Sequence, residues 1–596
     1  MMVHCVDASR PGVAFLVDPR CLRLIGAALL AMVACCPTSV LAQAQPSVSL
    51  PAAVPPNATF NENFIRDDQQ RLLEQQRERL DQLERLPGEA AAAPEVRPDD
   101  GGCLDIHEIE LEGASLLSER QRGRLLQPYL GRCLSAAELN GLLGEVTQWY
   151  LERGYVTTRA YLPEQDLTQG RLRVVVAEGR LEALDSGGVR PSPREVLMAS
   201  PTRPGDILNL RDLEQLIDQL NRLPSRRAQM ELLPGNALGG SRVRIDPDAG
   251  QGRPVRVALG RSNDGSRETG EQQWTLGGEW DSPLGLADQL SLQFGHDVTG
   301  ASGIGSSNQY VAYRLPWGRW NFRYQYSRSD YRSIARADGF RFDLDGASER
   351  HSLSAERLMH RDRVSTTSAS VGVSRLSTRN DLDETRIEVS SQRLSELSLG
   401  LNHGRRLGRG LINADLGWHK GLDILGAQDD DDQPAGSPKA QGERTTLTLS
   451  YARPFEVLGQ SLTVTSLASG QWSDDALYSP QRLSLGGQYS VCGYKDQTLS
   501  GDSGGYWRNE ISWARPLPAE VPLVDRLEAS LAYDVGVIRH DDDSGDQHGR
   551  LSGMALGLGV SGDYLSASVT LAKSIDRPDA IDHRESPVYF TVQARF

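Results

Sequence analysis

Val588-Tyr589-Phe590-Thr591-Val592-Gln593-Ala594-Arg595-Phe596 alternates without a miss. Val588, Phe590, Val592, Ala594 and Phe596 share one face, and Tyr589, Thr591, Gln593 and Arg595 the other, because successive side chains of a strand point to opposite sides. The same period recurs upstream. Trp320, Phe322, Tyr324 and Tyr326 alternate with Asn321, Arg323, Gln325 and Ser327. Leu290, Leu292 and Phe294 alternate with Ser291 and Gln293, and Leu565, Ala567, Val569 and Leu571 behave likewise. From about Pro254 onward no long amphipathic helix interrupts this pattern. Polar and charged residues at every second position suit a wet lumen, with the apolar set facing lipid. The fold expected over residues 255–596 is a membrane β-barrel. A soluble sandwich would not explain so long a run of strands behind a secretory leader.

Composition points the same way. The 596 residues are 39% hydrophobic and 24% charged, with a mean hydropathy of −0.42. The longest near-uniform apolar run, Leu24–Cys36, falls short of the roughly 18 residues a membrane helix needs. A polytopic helical membrane protein is excluded. A net charge of −15, from 79 acidic and 64 basic residues, argues against a nucleic-acid binder. Fifty-nine glycines and 31 prolines fit turn-rich β-structure.

Arg20 and Arg23 precede the apolar run, Pro37 follows it, and small residues stand at Val40 and Ala42. That order reads as a secretory signal over residues 1–42, cleaved near Ala42 or Ala44. Four of the seven cysteines leave with it, and Cys103, Cys133 and Cys492 remain. In an oxidising compartment Cys103 and Cys133 are natural partners, the alternative being two buried thiols. Closing a loop of that size contributes about 3 kcal/mol in the chain-entropy account.

Residues 43–100 divide into a flexible lead, one helix over 61–86, and the Ala/Pro/acidic linker Glu89–Asp100. The helix carries a narrow leucine stripe in a polar circumference, so it either bridges solvent or sits in a polar cavity. Residues 101–180 read as β-α-α-β-β: strand Ile106–Leu111, helix Ser118–Leu130, a helix with the capping box Ser135/Glu138, then strands Val156–Leu162 and Arg171–Glu178. Residues 181–250 repeat the unit more loosely, with Asn209 capping a helix.

Three motifs are discounted. Gly501-Asp502-Ser503-Gly504-Gly505 matches a serine-protease nucleophile segment, but no histidine context supplies the base that acyl transfer needs. Gly557-Leu558-Gly559-Val560-Ser561-Gly562 leads into a strand rather than a helix and reads as a turn. The acidic runs Asp429–Asp432 and Asp541–Asp546 read as solvated loop tips rather than calcium sites. No catalytic, metal or cofactor site is expected.

Residues 485–510 carry a more specific pattern. Gly486-Gly487, Val491-Cys492-Gly493-Tyr494, Gly501-Asp502, Gly505 and Arg508-Asn509-Glu510 resemble the lid-loop region of two-partner secretion transporters. These outer-membrane pores export filamentous haemagglutinins, haemolysins and contact-dependent toxins. Tyr150, Gly154-Tyr155, Gln165-Asp166, Gly170 and Glu178-Gly179 match the first module of that family. The resemblance spans the mature chain. It implies a plug helix, two polypeptide-transport-associated (POTRA) modules in the periplasm, and a sixteen-stranded, porin-like channel with a lid loop. It also implies a large exoprotein cargo with an N-terminal secretion signal, periplasmic chaperones, the barrel-assembly machinery and outer-membrane lipid as partners, and a monomer. Phe596 resembles the C-terminal assembly signal of such barrels. The rival is a barrel-assembly factor, which predicts more modules and no plug helix.

One position departs from the pattern. Where the family has an arginine that pairs with a barrel-wall aspartate, this chain has Cys492, while the aspartate pattern persists as Tyr533-Asp534-Val535-Gly536. Cysteine offers no guanidinium fork. The expectation is a lumen-facing Asp534, a loosely held lid tip, and Lys495 or Arg508 as the nearest replacement cations.

Overall fold

The computed structural model describes residues 61–596 except 88–102, 168, 188–190, 238, 248–251, 299, 301, 338–339, 432, 435, 519–522 and 540–547. The signal over 1–42, the lead, the linker Glu89–Asp100 and the run Asp541–Asp546 lie outside the described residues.

Strict alternation makes each strand of the C-terminal region two-faced, and only closure hides every backbone edge from lipid. Among the described residues sixteen long strands, from Val255–Ser262 to Val588–Arg595, form one closed antiparallel barrel. A two-residue strand, Thr385–Arg386, extends Ser365–Leu382. The outer face carries Trp507, Ile511, Leu531, Leu558 and Val588, all exposed, while Asn380, Asn413, Ser450, Ser552 and Asp534 are buried. Connections are short at one end (318–319, 408–409, 458–459) and long at the other, above all the segment 473–503. The last strand closes the barrel by pairing Thr591–Arg595 with Ala258–Ser262. No described helix is long and apolar enough to cross a membrane.

The reading of Gly557–Gly562 as a turn is corrected. Gly557–Ser561 continues the strand Gly549–Ser561, because glycines here let wall side chains pack: a Cβ on Gly557 would stand 2.5 Å from Ser530 Oγ.

In the first module, Glu108–Glu112 runs parallel to Arg171–Ala177, which pairs antiparallel with Arg159–Tyr161. Helices Glu119–Leu126 and Ala136–Glu152 cover the sheet, burying Leu142, Val146, Tyr150, Leu172 and Val174. Two expectations shift. The strand Ile106–Leu111 is broken at His107, because residues 103–106 leave the sheet to pair with Arg132–Ser135. The strand Val156–Leu162 shortens to Arg159–Tyr161, since Val156 and Thr158 spend their amides on the turn after the helix. The Glu178 carboxylate accepts hydrogen bonds from Tyr150 Oη (2.8 Å) and the Leu116 amide (3.1 Å), tying helix to strand.

Cys103 and Cys133 form a disulfide across the small ribbon, and Cys492 is free and buried. The mature protein, denatured without reductant, should therefore take up thiol reagent at one cysteine; labelling at three would show that the bridge does not form in the envelope.

The second module has strands Arg180–Ser186, Ala228–Pro234 and Gly240–Pro247 with helices Pro193–Ala199 and Leu210–Asn221. Asn209 caps the second helix through the Arg211 amide (2.8 Å). This module seats on the short-turn end of the barrel. The Gly318 amide donates to Met198 O (2.8 Å), the Ser225 amide to Asp281 (2.9 Å), and Arg361 bridges Glu214 and Asp218.

Candidate functional site: the occupied lumen and its lid loop

The polar helix foreseen over 61–86 forms over Glu62–Glu84. It passes through the barrel interior, shown by partners drawn from around the wall. Asn63 bonds Thr269 (3.1 Å), Asp68 pairs with Arg350, and Gln76 donates to Asp415 (2.8 Å). Arg79 pairs with Glu356, and Glu78 takes Arg314 in a two-pronged contact of 3.1 and 3.2 Å. Its apolar stripe is narrow because few wall residues offer apolar contact; Phe64 and Leu83 are its buried anchors. Nothing local in the sequence named which wall residues the helix would meet.

The long connection 473–503 folds back into the same lumen. Gly486 and Gly487, both at positive φ (124° and 78°), make its turn, a conformation that costs glycine little. The Gly486 amide donates to Ser490 Oγ (2.9 Å) and the Gly487 amide to Tyr494 O (2.6 Å), closing 486–494 on itself. Asp502 holds the base of the loop, accepting from the Leu477 amide (3.0 Å) and facing Arg482 (3.1 Å). Gly501 lies beside it on the short ribbon Leu483–Leu485/Leu499–Gly501.

Val491, Cys492 and Tyr494 are buried at the tip, against a wall whose side chains have been cut back. A Cβ on Gly553 would lie 1.7 Å from Cys492 O, and one on Gly493 2.5 Å from Lys573 C. Only glycine permits these approaches. Tyr494 Oη donates to Ser552 O (3.3 Å) and to Asp576 O.

Asp534 is 1% exposed and faces the tip. Its Oδ2 accepts the Cys492 amide (3.1 Å) and lies 3.6 Å from Arg508 Nε. Its Oδ1 has no hydrogen-bond partner among the described residues. Of the two candidate cations, Arg508 therefore serves the aspartate, while Lys495 reaches Asn263 O (2.5 Å) and Glu271. In this structure the tip is held by the Cys492 amide and by close glycine packing, with no tip guanidinium involved. A thiol reagent should accordingly reach Cys492 far more slowly in the native protein than after denaturation; equal rates would mean the tip is open.

The remaining signature residues divide. Arg508 and Glu510 share the inner parity of their strand, whereas Asn509 shares the outer parity with exposed Trp507 and bonds Ser466 (2.9 Å). Gly505 lets the strand Gly504–Pro516 approach Ser469 O, 2.9 Å from where its Cβ would be. Sequence reasoning missed Glu585, which accepts the Lys495 (2.6 Å) and Asp496 (3.2 Å) amides and clamps the lid from the connection 577–587. Nothing near Glu585 in the sequence signals that role. Among the described residues no cluster of His, Cys, Asp and Glu could hold a metal.

A closed barrel behind two β-α-α-β-β modules, with its lumen occupied, defines an outer-membrane β-barrel of the POTRA-bearing class. Residues 239–560 match the family described as haemolysin secretion/activation protein ShlB/FhaC/HecB. Residues 104–179 match the ShlB-type POTRA domain and 180–234 a further POTRA domain. The outer membrane transporter CdiB of Dickeya dadantii (strain 3937) is 34% identical over 87% of this chain and 91% of its own. The hemolysin transporter protein ShlB of Serratia marcescens is 29% identical over 80% and 82%. The solved structure of CdiB from Escherichia coli superposes with a TM-score of 0.83 at 32% identity, covering 90% of this chain and 98% of that one. The chain belongs to the two-partner secretion transporter family, resides in the outer membrane, and holds its POTRA modules in the periplasm.

Proposed function

We propose that this protein exports a large exoprotein from the periplasm to the cell surface, without enzymatic chemistry. The observation that carries this reading is the lumen: a helix held there by ion pairs and side-chain hydrogen bonds, some of them to backbone carbonyls, and reaching the mouth where the second module docks. A permanent stopper would serve no pore, and a free channel would need no modules. An unfolded secretion signal adds to an exposed sheet edge of a module, where main-chain hydrogen bonds accept many sequences. The helix then withdraws. The tip Val491–Tyr494 and its partner Asp534 act as a second closure, released as the chain passes. No nucleotide motif occurs in the sequence, so folding of the cargo outside supplies the drive. Periplasmic chaperones deliver the cargo, the barrel-assembly machinery inserts the transporter, and a monomer suffices. The assembly-factor reading is disfavoured by the two modules and the lumen helix.

The test is secretion. Cells carrying this chain and its large exoprotein cargo should release the exoprotein, and cells lacking the chain should retain it. Equal release from both overturns the proposal.

A further inference from the structure

The strands Gly305–Trp317 and Trp320–Ala337 set Arg314 directly opposite Arg323. Like charges facing each other across an antiparallel pair are destabilising. A third guanidinium joins them from the periplasmic side, that of Arg222 at the end of the helix Leu210–Asn221. Arg222 donates to Asn321 Oδ1 (3.2 Å) and Ala287 O (3.1 Å), and its Nε is buried without a partner. Among the described residues the Arg323 side chain makes no hydrogen bond or close salt bridge, though the carboxylates of Glu78 and Glu356 face it.

The nearby carboxylates are mostly engaged. Glu356 pairs with Arg79, and Asp288 accepts from Tyr313 Oη (2.8 Å) and the Leu284 and Leu286 amides. Glu78, from the plug helix, is forked onto Arg314, while Glu356 also faces Arg323 and Asp288 faces Arg222. A cavity of about 400 Å³ adjoins all three arginines and Glu78, and Arg79, Glu356 and Asp415 share its lining.

We propose that Arg222, Arg314 and Arg323 form a carboxylate-receiving site at the periplasmic mouth, filled at rest by Glu78. When the helix leaves, acidic side chains of the entering polypeptide take its place. The plug thus imitates the cargo at one residue. Guanidiniums suit this role because their fork matches a carboxylate and they keep their charge on burial. Burial, with Arg314 and Arg323 beside it, lowers the Arg222 pKa; since arginine does not release its proton in proteins, that strain is relieved by an anion. Three like charges facing one another are costly in a wall that needs only to be wet, which argues for a use beyond solvation.

The proposal rests on a polypeptide entering from the periplasm, so the test separates the site from export. In planar bilayers, the full-length chain and a variant lacking residues 61–86 are compared with and without Arg323→Gln, which breaks no described contact. The open pore should favour chloride over potassium, and Arg323→Gln should lower that permeability ratio about threefold or more. A poly-glutamate peptide added on the module side should block at about tenfold lower concentration than a poly-serine peptide of equal length. Arg222→Gln/Arg323→Gln should abolish the difference, while inorganic phosphate at equal charge should block weakly. An unchanged permeability ratio, equal block by both peptides, or phosphate block matching that of the peptide would overturn the proposal. A secretion defect without these electrical changes would fault the site and leave the export reading standing.

Discussion

Deleting residues 61–86 is expected to turn a mostly closed pore into a steadily open one, raising mean current at least about tenfold, since sixteen-stranded barrels otherwise enclose an aqueous channel. The helix is the main obstruction within the wall, and the wall does not depend on it. Every barrel strand completes its ladder with neighbouring strands, and the plug segment adds side-chain bonds plus the Glu84 and Leu86 carbonyls, which accept from Arg406. Those contacts are separate from one another. Arg79–Glu356, Arg350–Asp68 and Arg314–Glu78 are partly buried pairs, lying between the roughly 0–1 kcal/mol of an exposed pair and the roughly 3–5 kcal/mol lost when a fully buried one is broken. The resting state is thus a sum of separate terms and can be reversed by an entering chain. Glu356→Gln should raise the open fraction modestly, and higher salt should do the same by screening. Current unchanged by the deletion would show that the lid, and not the helix, closes the pore.

Removal of Phe596 should leave little folded barrel in cells, about a tenfold loss of heat-modifiable protein relative to the intact chain. The structure separates two reasons. Phe596 closes the seam with two backbone hydrogen bonds to Val257 (2.8 and 3.2 Å). These contribute only about 0.5–1.5 kcal/mol each, too little to unfold a barrel whose other pairs run through every strand. The residue is 64% exposed, on the outer face of its strand, available to whatever inserts the chain. The purified variant should therefore still fold in detergent micelles while failing to accumulate in the outer membrane. Normal accumulation in cells would deny Phe596 a signalling role. Failure in both settings would place its importance in the seam itself, where the ladder over Thr591–Arg595 is continued by the Phe596 bonds to Val257.

Much of the architecture was legible because strand parity and helix capping are local. Val588 is exposed and Tyr589 buried, as alternation requires. Ser135 and Glu138 close the capping box that their spacing announces. The polar circumference of 62–84 told that the helix needs a wet enclosure, without telling which one.

What the sequence determined by itself was therefore facing: which side chains of each strand look inward, and where helices begin. What only the tertiary structure decided was partnership. Alternation puts Asp534 in the lumen, but the cation beside it is Arg508 rather than Lys495 because the register of adjacent strands sets Arg508 opposite Asp534. Lys495 is carried instead to Glu271, 224 positions away in the chain. Arg314 and Arg323 each look like ordinary lumen residues until strand pairing sets them face to face and a docked module adds Arg222. Parity has a period of two and is written in neighbouring residues. Pairing across a closed barrel depends on every strand at once, and no local stretch of sequence contains it.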